Sequence, residues 1–353
     1  MILRGTALVP GTCGELVQGT LSGTNFLVTC PVNWFSRVTV TTGADRSVPS
    51  TPSTRDGSPL DTIRPDAPVM NEDASPGAGR IVFPAERIKT AQAVRKTLDR
   101  EGYPNLGAVI DVASSLPIGK GMGSSTADLS AACYAVATAL NRRLTPEAVA
   151  EIALSIEPSD GTFSTGIILI DHVDGRLFER IGEPFPLGLL VLDFGGAVDT
   201  LEFHRRSDLA ELNAANEPVI RQALQLVRDG FQRQDPGKLG EGATMSALAN
   251  QRILPKSHLE AIIDHVLVRG AYGVNVAHSG TVVGILLPPG READEQLIRG
   301  LRTRFSEIRD HYSLRLTGGG PRYPGKIRTG GKVCVGQAPA RRERCIGGSQ
   351  VWH

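Results

Sequence analysis

The chain has 353 residues, 41% apolar and 21% charged, with 38 Lys and Arg against 37 Asp and Glu for a formal charge of +1. That length exceeds what one hydrophobic core usually organises, so two domains are expected, with the composition of a folded globular protein. The balanced charge gives no ground for a nucleic-acid or membrane surface, and no run approaches eighteen consecutive apolar residues. A small-molecule partner and a cytoplasmic location are therefore expected.

The first forty residues read as β, with FLVTCPV and WFSRVTVTT as strands broken by Gly and Pro. Residues 42–79, dominated by Pro, Ser, Asp and Gly, read as a long mobile surface loop. Residues 86–101 place Ile88, Ala91, Val94 and Leu98 on one helical stripe, and AVIDVAS then alternates as a strand. A glycine-rich loop follows. After it, ADLSAACYAVATAL is apolar nearly all round and reads as a buried helix. TPEAVAEIALSI is another helix, with Thr145 as N-cap and Pro146 and Glu147 behind it.

From about Pro184 the pattern restarts with LGLLVLDF as a buried strand. Helices are expected at 217–233 (stripe Ile220, Leu224, Val227, Phe231), around 237–250 and at 256–269. YGVNVAH and TVVGILL read as strands around an HSG turn, followed by a helix at 291–306 and a short strand SLRLT. Elements mixed in this way predict an α+β sandwich of two layers. Residues 321–353, rich in Gly, Arg and Lys, show no periodicity and read as an irregular tail. The five cysteines (Cys13, Cys30, Cys133, Cys334 and Cys345) are far apart and lack CxxC or Cys/His spacing, which argues against a disulfide framework and a zinc site.

The chemistry concentrates in LPIGKGMGSSTAD, residues 116–128. Gly119, Gly121 and Gly123 would let backbone approach a ligand at the positive end of a helix. Lys120 adds a full charge, and the hydroxyls of Ser124, Ser125 and Thr126 could bond phosphate oxygen or Mg²⁺. Against this stands an ordinary turn in which Ser125-x-x-Asp128 is a capping box. The segment alone leaves both open. It is no Walker A loop, because Gly121 follows Lys120 and Ser114 stands where the first glycine belongs. A dinucleotide fingerprint fails at Ser124. The DFG at 193–195 lacks the upstream HRDxxxxN of protein kinases and reads as a strand end.

The run Pro117, Gly119, Gly121, Ser124, Ser125, Thr126, Ala127 resembles the second motif of the GHMP kinases. VPGTCGELVQG (9–19) stands where that family has its first motif, and GVNVAHSGTVVGILL (273–287) where it has its third, with only Gly280 and Gly284 left of the usual glycine run. Together with IEPSDG, the pattern is most similar to the branch that phosphorylates L-threonine in cobalamin synthesis, over roughly residues 5–320.

The resemblance implies an α+β fold of two domains. Residues 1–180 would form an ATP-binding domain like the second domain of ribosomal protein S5, and 181–320 a ferredoxin-like domain. It implies ATP and Mg²⁺, with nucleotide held by Pro117, Gly119, Lys120, Gly121, Gly123, Ser124, Ser125, Thr126 and Gly280. Asp160 of Glu157-Pro-Ser-Asp160 matches the catalytic base, and Glu157 and Ser125 match the metal-holding pair. Many relatives carry Arg or Lys directly after the first Pro-Gly, where this chain has Thr12, so Lys120 is expected to supply the missing charge.

For an amino-acid substrate, Glu15, Asp199 and Thr200 are candidate pocket residues, and His278 either bonds near the nucleotide or caps a turn. The implied reaction is phosphorylation of the L-threonine hydroxyl by a monomer or homodimer. The alternatives are another small hydroxy amino acid such as homoserine, a related decarboxylation, or binding without turnover.

Overall fold

Two long antiparallel strands, β1 (Leu3–Leu21) and β2 (Thr24–Gly43), form the spine of the molecule, turning tightly between Leu21 and Thr24. The structure is a computed structural model and describes residues 2–43, 70–73, 79–196 and 205–324. The other strands are β3 (Met70–Asp73), β4 (Ile81–Pro84), β5 (Gly107–Ser114), β6 (Ile167–Ile170), β7 (Phe178–Gly182), β8 (Gly188–Asp193), β9 (Gly273–Val276), β10 (Val282–Leu287) and β11 (Asp310–Arg315). They join in the order β11-β8-β10-β9-β1-β2-β5-β4-β3, with β6 and β7 branching from β2. Only β4 and β5 pair parallel among the described ladders, across the crossover helix α1 (Ile88–Arg100).

The remaining helices are α2 (Ser124–Ala139), α3 (Pro146–Leu154), α4 (Leu209–Arg233), α5 (Pro236–Asn250), α6 (Leu259–Leu267) and α7 (Glu295–Arg304). α2 is buried except at Ser125 and Thr138, which accounts for its apolar residues on every face. It lies so close to β1 that a Cβ on Gly5 would strike the backbone of Ala135 and Ala139. α1, α2 and α3 close one core with β1, β2, β4 and β5. β8 is buried on both faces: Leu189 and Val191 join the core of α4 and α5, while Leu190 and Leu192 face that of α6 and α7.

Several expected boundaries move. FLVTCPV and WFSRVTVTT are one strand, because Pro31 falls at a shift of the β1–β2 register. Residues 42 and 43 complete β2 and 70–73 form β3, so the stretch expected as loop is partly sheet; its other residues up to 78 lie outside the described ones. Ile88 is 53% exposed, not on the buried stripe with Ala91, Val94 and Leu98. The expected helix at 291–306 is a short 3₁₀ turn (Arg291–Ala293) and then α7, whose start is capped by the Asp294 carboxylate accepting from Gln296 and Leu297 N–H. Arg322, in the supposed tail, exchanges backbone hydrogen bonds with Leu8 at 2.7 and 2.8 Å. Residues 325–353 lie outside the described ones. No described helix is long and apolar enough to cross a membrane.

Candidate active site

The site begins where β1 stops being regular. Its register against β2 shifts at Pro10/Thr12, Thr12/Glu15 and Glu15/Val17, within PGTCGEL. Such bulges re-aim side chains and release backbone groups from the ladder. The freed groups fasten the glycine-rich loop: Thr12 N–H donates to Met122 O at 3.0 Å and Gly14 N–H to Gly121 O at 3.2 Å. Gly14 adopts φ +53°, and a Cβ there would strike the Val276 backbone.

A third segment closes on the same loop. Thr281 N–H donates to Lys120 O at 3.0 Å, and a Cβ on Gly121 (φ +81°) would meet Ala277 and Gly280. The buried ammonium of Lys256 donates to Gly280 O at 2.7 Å, and its burial pulls its pKa down to about 8. Gly280 therefore braces the loop from behind and does not line the cavity.

α2 starts from Gly123 in the left-handed region (φ +63°) with no side-chain cap. The capping-box reading of Ser125 and Asp128 is thus displaced. The Ser125 hydroxyl donates to Glu157 Oε1, and Asp128 pairs with Arg87 at 2.9 Å and accepts from the Ser36 hydroxyl. Among the described residues no side chain caps the first N–H groups of α2, whose dipole is positive there.

In front of that helix end lies a cavity of about 480 Å³, within the roughly 300–1,000 Å³ of small-molecule sites. Gly119, Gly121 and the run Gly123–Thr126 form one wall; Glu15, Glu157 and Asp160 are among the other lining residues. The turn after α3 delivers the acids: Asp160 N–H donates to Thr126 Oγ1 at 3.2 Å and Gly161 N–H to Thr29 Oγ1 at 3.0 Å. A Cβ on Gly123 would sit 2.9 Å from Asp160 Oδ2, so glycine is what lets the carboxylate approach the helix start.

Burial, then the charge of Glu157, pushes the Asp160 carboxyl up to about 7. Burial, then Asp160, raises Glu15 well above the usual carboxylate range. Glu15 Oε2 is buried and without a hydrogen-bond partner among the described residues. Two acids thus share a place where neither is fully solvated.

Sequence reasoning missed the cavity's basic residues. Arg87 and Lys89 line it from the start of α1, and Lys89 Nζ meets Glu157 Oε2. The signal was a lysine in a first helical turn without acids, against the dipole preference. Ile88, between them, and Ile118 are exposed because they face the cavity. Lys120 does not line it; its Nζ pairs with Asp193 at 3.1 Å, so the charge expected from Lys120 is not brought to the acids. Pro117 also stays off the wall. Asp199 and Thr200 lie outside the described residues. His278 is on the wall, with Nδ1 2.8 Å from Gln18 Oε1.

Among the described residues no group of three or more His, Cys, Asp or Glu could hold a metal by itself. Ser125 and Glu157 nevertheless suit Mg²⁺, which takes one or two protein oxygens and completes its shell with phosphate and water.

The sequence matches the family model for the GHMP kinases N terminal domain over residues 87–168 and that for the GHMP kinases C terminal over 227–307. It is 34% identical to an L-threonine kinase of Salmonella typhimurium over 284 residues, 80% of this chain and 82% of that protein. The chain belongs to the GHMP kinases. An L-threonine kinase of Citrobacter freundii is 35% identical over 303 residues, 84% of this chain and 91% of that one. In fold, this GHMP kinase superposes on homoserine kinase from Cytophaga hutchinsonii with a TM-score of 0.61 at 15% identity, covering 90% of this chain and 96% of that one. The N-terminal match spans Arg87, Lys89, α2, Glu157 and Asp160 and the C-terminal match spans His278, whereas Glu15 and His172 fall outside both.

Proposed function

We propose that this GHMP kinase transfers the γ-phosphoryl group of ATP to the side-chain hydroxyl of L-threonine, giving O-phospho-L-threonine and ADP. The observation that carries the reading is Asp160: a carboxyl raised to about 7, held against the open N-terminus of α2 and three residues from the Ser125–Glu157 pair. The substrate comes from the two L-threonine kinases that resemble the chain over most of its length.

The wall from Gly119 to Thr126 offers backbone N–H groups to a triphosphate, and Arg87 and Lys89 lie beside it as cations. Bound Mg²⁺, held by Ser125 and Glu157, would neutralise phosphate charge. Asp160 accepts the hydroxyl proton as the threonine oxygen forms its bond to phosphorus and the bond from phosphorus to the departing ADP oxygen breaks. Glu15 faces the ammonium of the amino acid, the one partner that relieves its buried oxygen. The charge that many relatives place after the first Pro-Gly is assigned to Lys89, on the cavity wall, in preference to Lys120. The product fits the aminopropanol arm of cobalamin synthesis, following the branch the sequence resembles.

ADP release over a panel of hydroxy amino acids tests the reading. L-threonine should lead. A tenfold preference for serine or homoserine would overturn the substrate assignment.

A further inference from the structure

Two histidines converge on the cavity from separate parts of the sheet. His172 follows β6 and is 3% exposed; His278 lies in the turn between β9 and β10. Their ring centroids are 4.9 Å apart with planes at 72°, and both line the cavity with Glu15, Leu27 and Asp160. Backbone contacts tie each to an acid. Ser159 N–H donates to His172 O at 3.0 Å, one residue before Asp160. Val276, two residues before His278, pairs with Glu15 across β1 and β9.

Gln18 sets the orientation of His278. Its Nε2 donates to Val276 O at 3.2 Å, which turns its Oε1 toward His278 Nδ1 at 2.8 Å. Since Oε1 can only accept, Nδ1 carries hydrogen, and Nε2 is the nitrogen on the far side of the ring.

We infer that His172 and His278 receive the α-carboxylate of the amino-acid substrate while Glu15 receives its ammonium, so that the pocket selects a zwitterion over a plain amino alcohol. The inference rests on the L-threonine reading and deepens it. A zwitterion carries opposite charges on one carbon, and burying it requires a partner for each. Glu15 supplies the anion. The lining residues that are Lys or Arg are Arg87 and Lys89, and both already meet acids, Asp128 and Glu157. Of the other lining residues, the imidazoles are the cationic candidates. An imidazole whose Nδ1–H is already committed becomes a second donor when Nε2 takes a proton, and an incoming carboxylate favours that form.

The test compares L-threonine with L-threoninamide, which keeps the ammonium and hydroxyl and lacks the charge. Calorimetric binding is measured with Mg²⁺ and a non-hydrolysable ATP analogue present, on wild type, His172→Asn and His278→Ala. Wild type should bind the amide roughly tenfold to a hundredfold more weakly, the worth of a hydrogen bond to a charged group. Each variant should lose about that factor for L-threonine and stay within threefold for the amide, so the gap closes. A wild-type gap under threefold overturns the inference without any variant. Equal losses for both ligands overturn it too, since they mark a merely structural role. If wild type releases no threonine-dependent ADP, the parent reading falls first and takes this one with it.

Discussion

Replacing Asp160 by Asn separates what the carboxyl does for catalysis from what it costs the fold. Its pKa is raised from 3.8 to about 7 by burial and then by Glu157, so it holds its proton more tightly folded than unfolded. Below pH 4 both states are protonated and the group contributes no difference. Between pH 4 and 7 the unfolded chain releases the proton and the folded one retains it, so stability falls as pH rises and levels off above 7. Three pH units correspond to about 4 kcal/mol, and water reaching the half-buried carboxyl brings the expected cost to about 2–4 kcal/mol. Asp160→Asn should therefore melt near wild type at pH 4 and several degrees above it at pH 8, by scanning calorimetry. Activity moves the other way. The base works ionised, so wild-type kcat/KM should rise about tenfold from pH 6 to pH 8, and the variant should lose about a hundredfold to ten-thousandfold in kcat with ATP binding intact. A melting difference equal at both pH values, or a flat kcat/KM across pH 6–8, would refute the reasoning.

Glu157→Gln removes the second cause of the raised Asp160 pKa, so the midpoint of the kcat/KM rise should move to lower pH even as the Mg²⁺ requirement increases; an unmoved midpoint contradicts the coupling. Lys89→Met should reduce kcat by about a hundredfold, the scale of a lost preorganised charge, and Lys120→Met by less than threefold, both read by coupled ADP release; the reverse order would return the role to Lys120. Burial raises the Glu15 carboxyl, so the arriving ammonium should drive off its proton while an imidazole takes one up; the dependence of the calorimetric heat on buffer ionisation enthalpy should therefore differ between wild type and His278→Ala. Gly121→Ala should lower the melting temperature by about 5 °C or more, because strained φ and collision with Ala277 combine. Gly102→Ala, at φ +85° in open space, should cost only about 1 kcal/mol.

Elements with a strong period were readable from the chain, and so was the loop that carries the phosphates in the proposed reaction. α2 announced itself by being apolar all round, α3 by Thr145, whose hydroxyl does accept from Ala148 N–H at 3.3 Å. Three of the errors share a source. Ile88 fell on a helical stripe yet is exposed, Lys89 sat in a first turn where acids are favoured, and Pro31 looked like a strand break. In each case a local rule gave way because the segment borders the cavity or the bulged strand that shapes it. The pairing of Lys120 with Asp193 depends on the end of β8 lying beside the loop, a contact between residues 73 positions apart that no local pattern encodes.

The third motif keeps glycine only where the packing requires it. Gly280 is needed where it touches Gly121, and Gly284 where a Cβ would strike Asn275 and Cys13. Lys256 holds the turn from behind through Gly280 O. A loop that only had to approach phosphate would gain from more glycine. This one places His278 and Ser279 on the cavity wall. If His278 receives the substrate as inferred, the lost glycines of this motif and the selectivity of the pocket are a single feature of the fold.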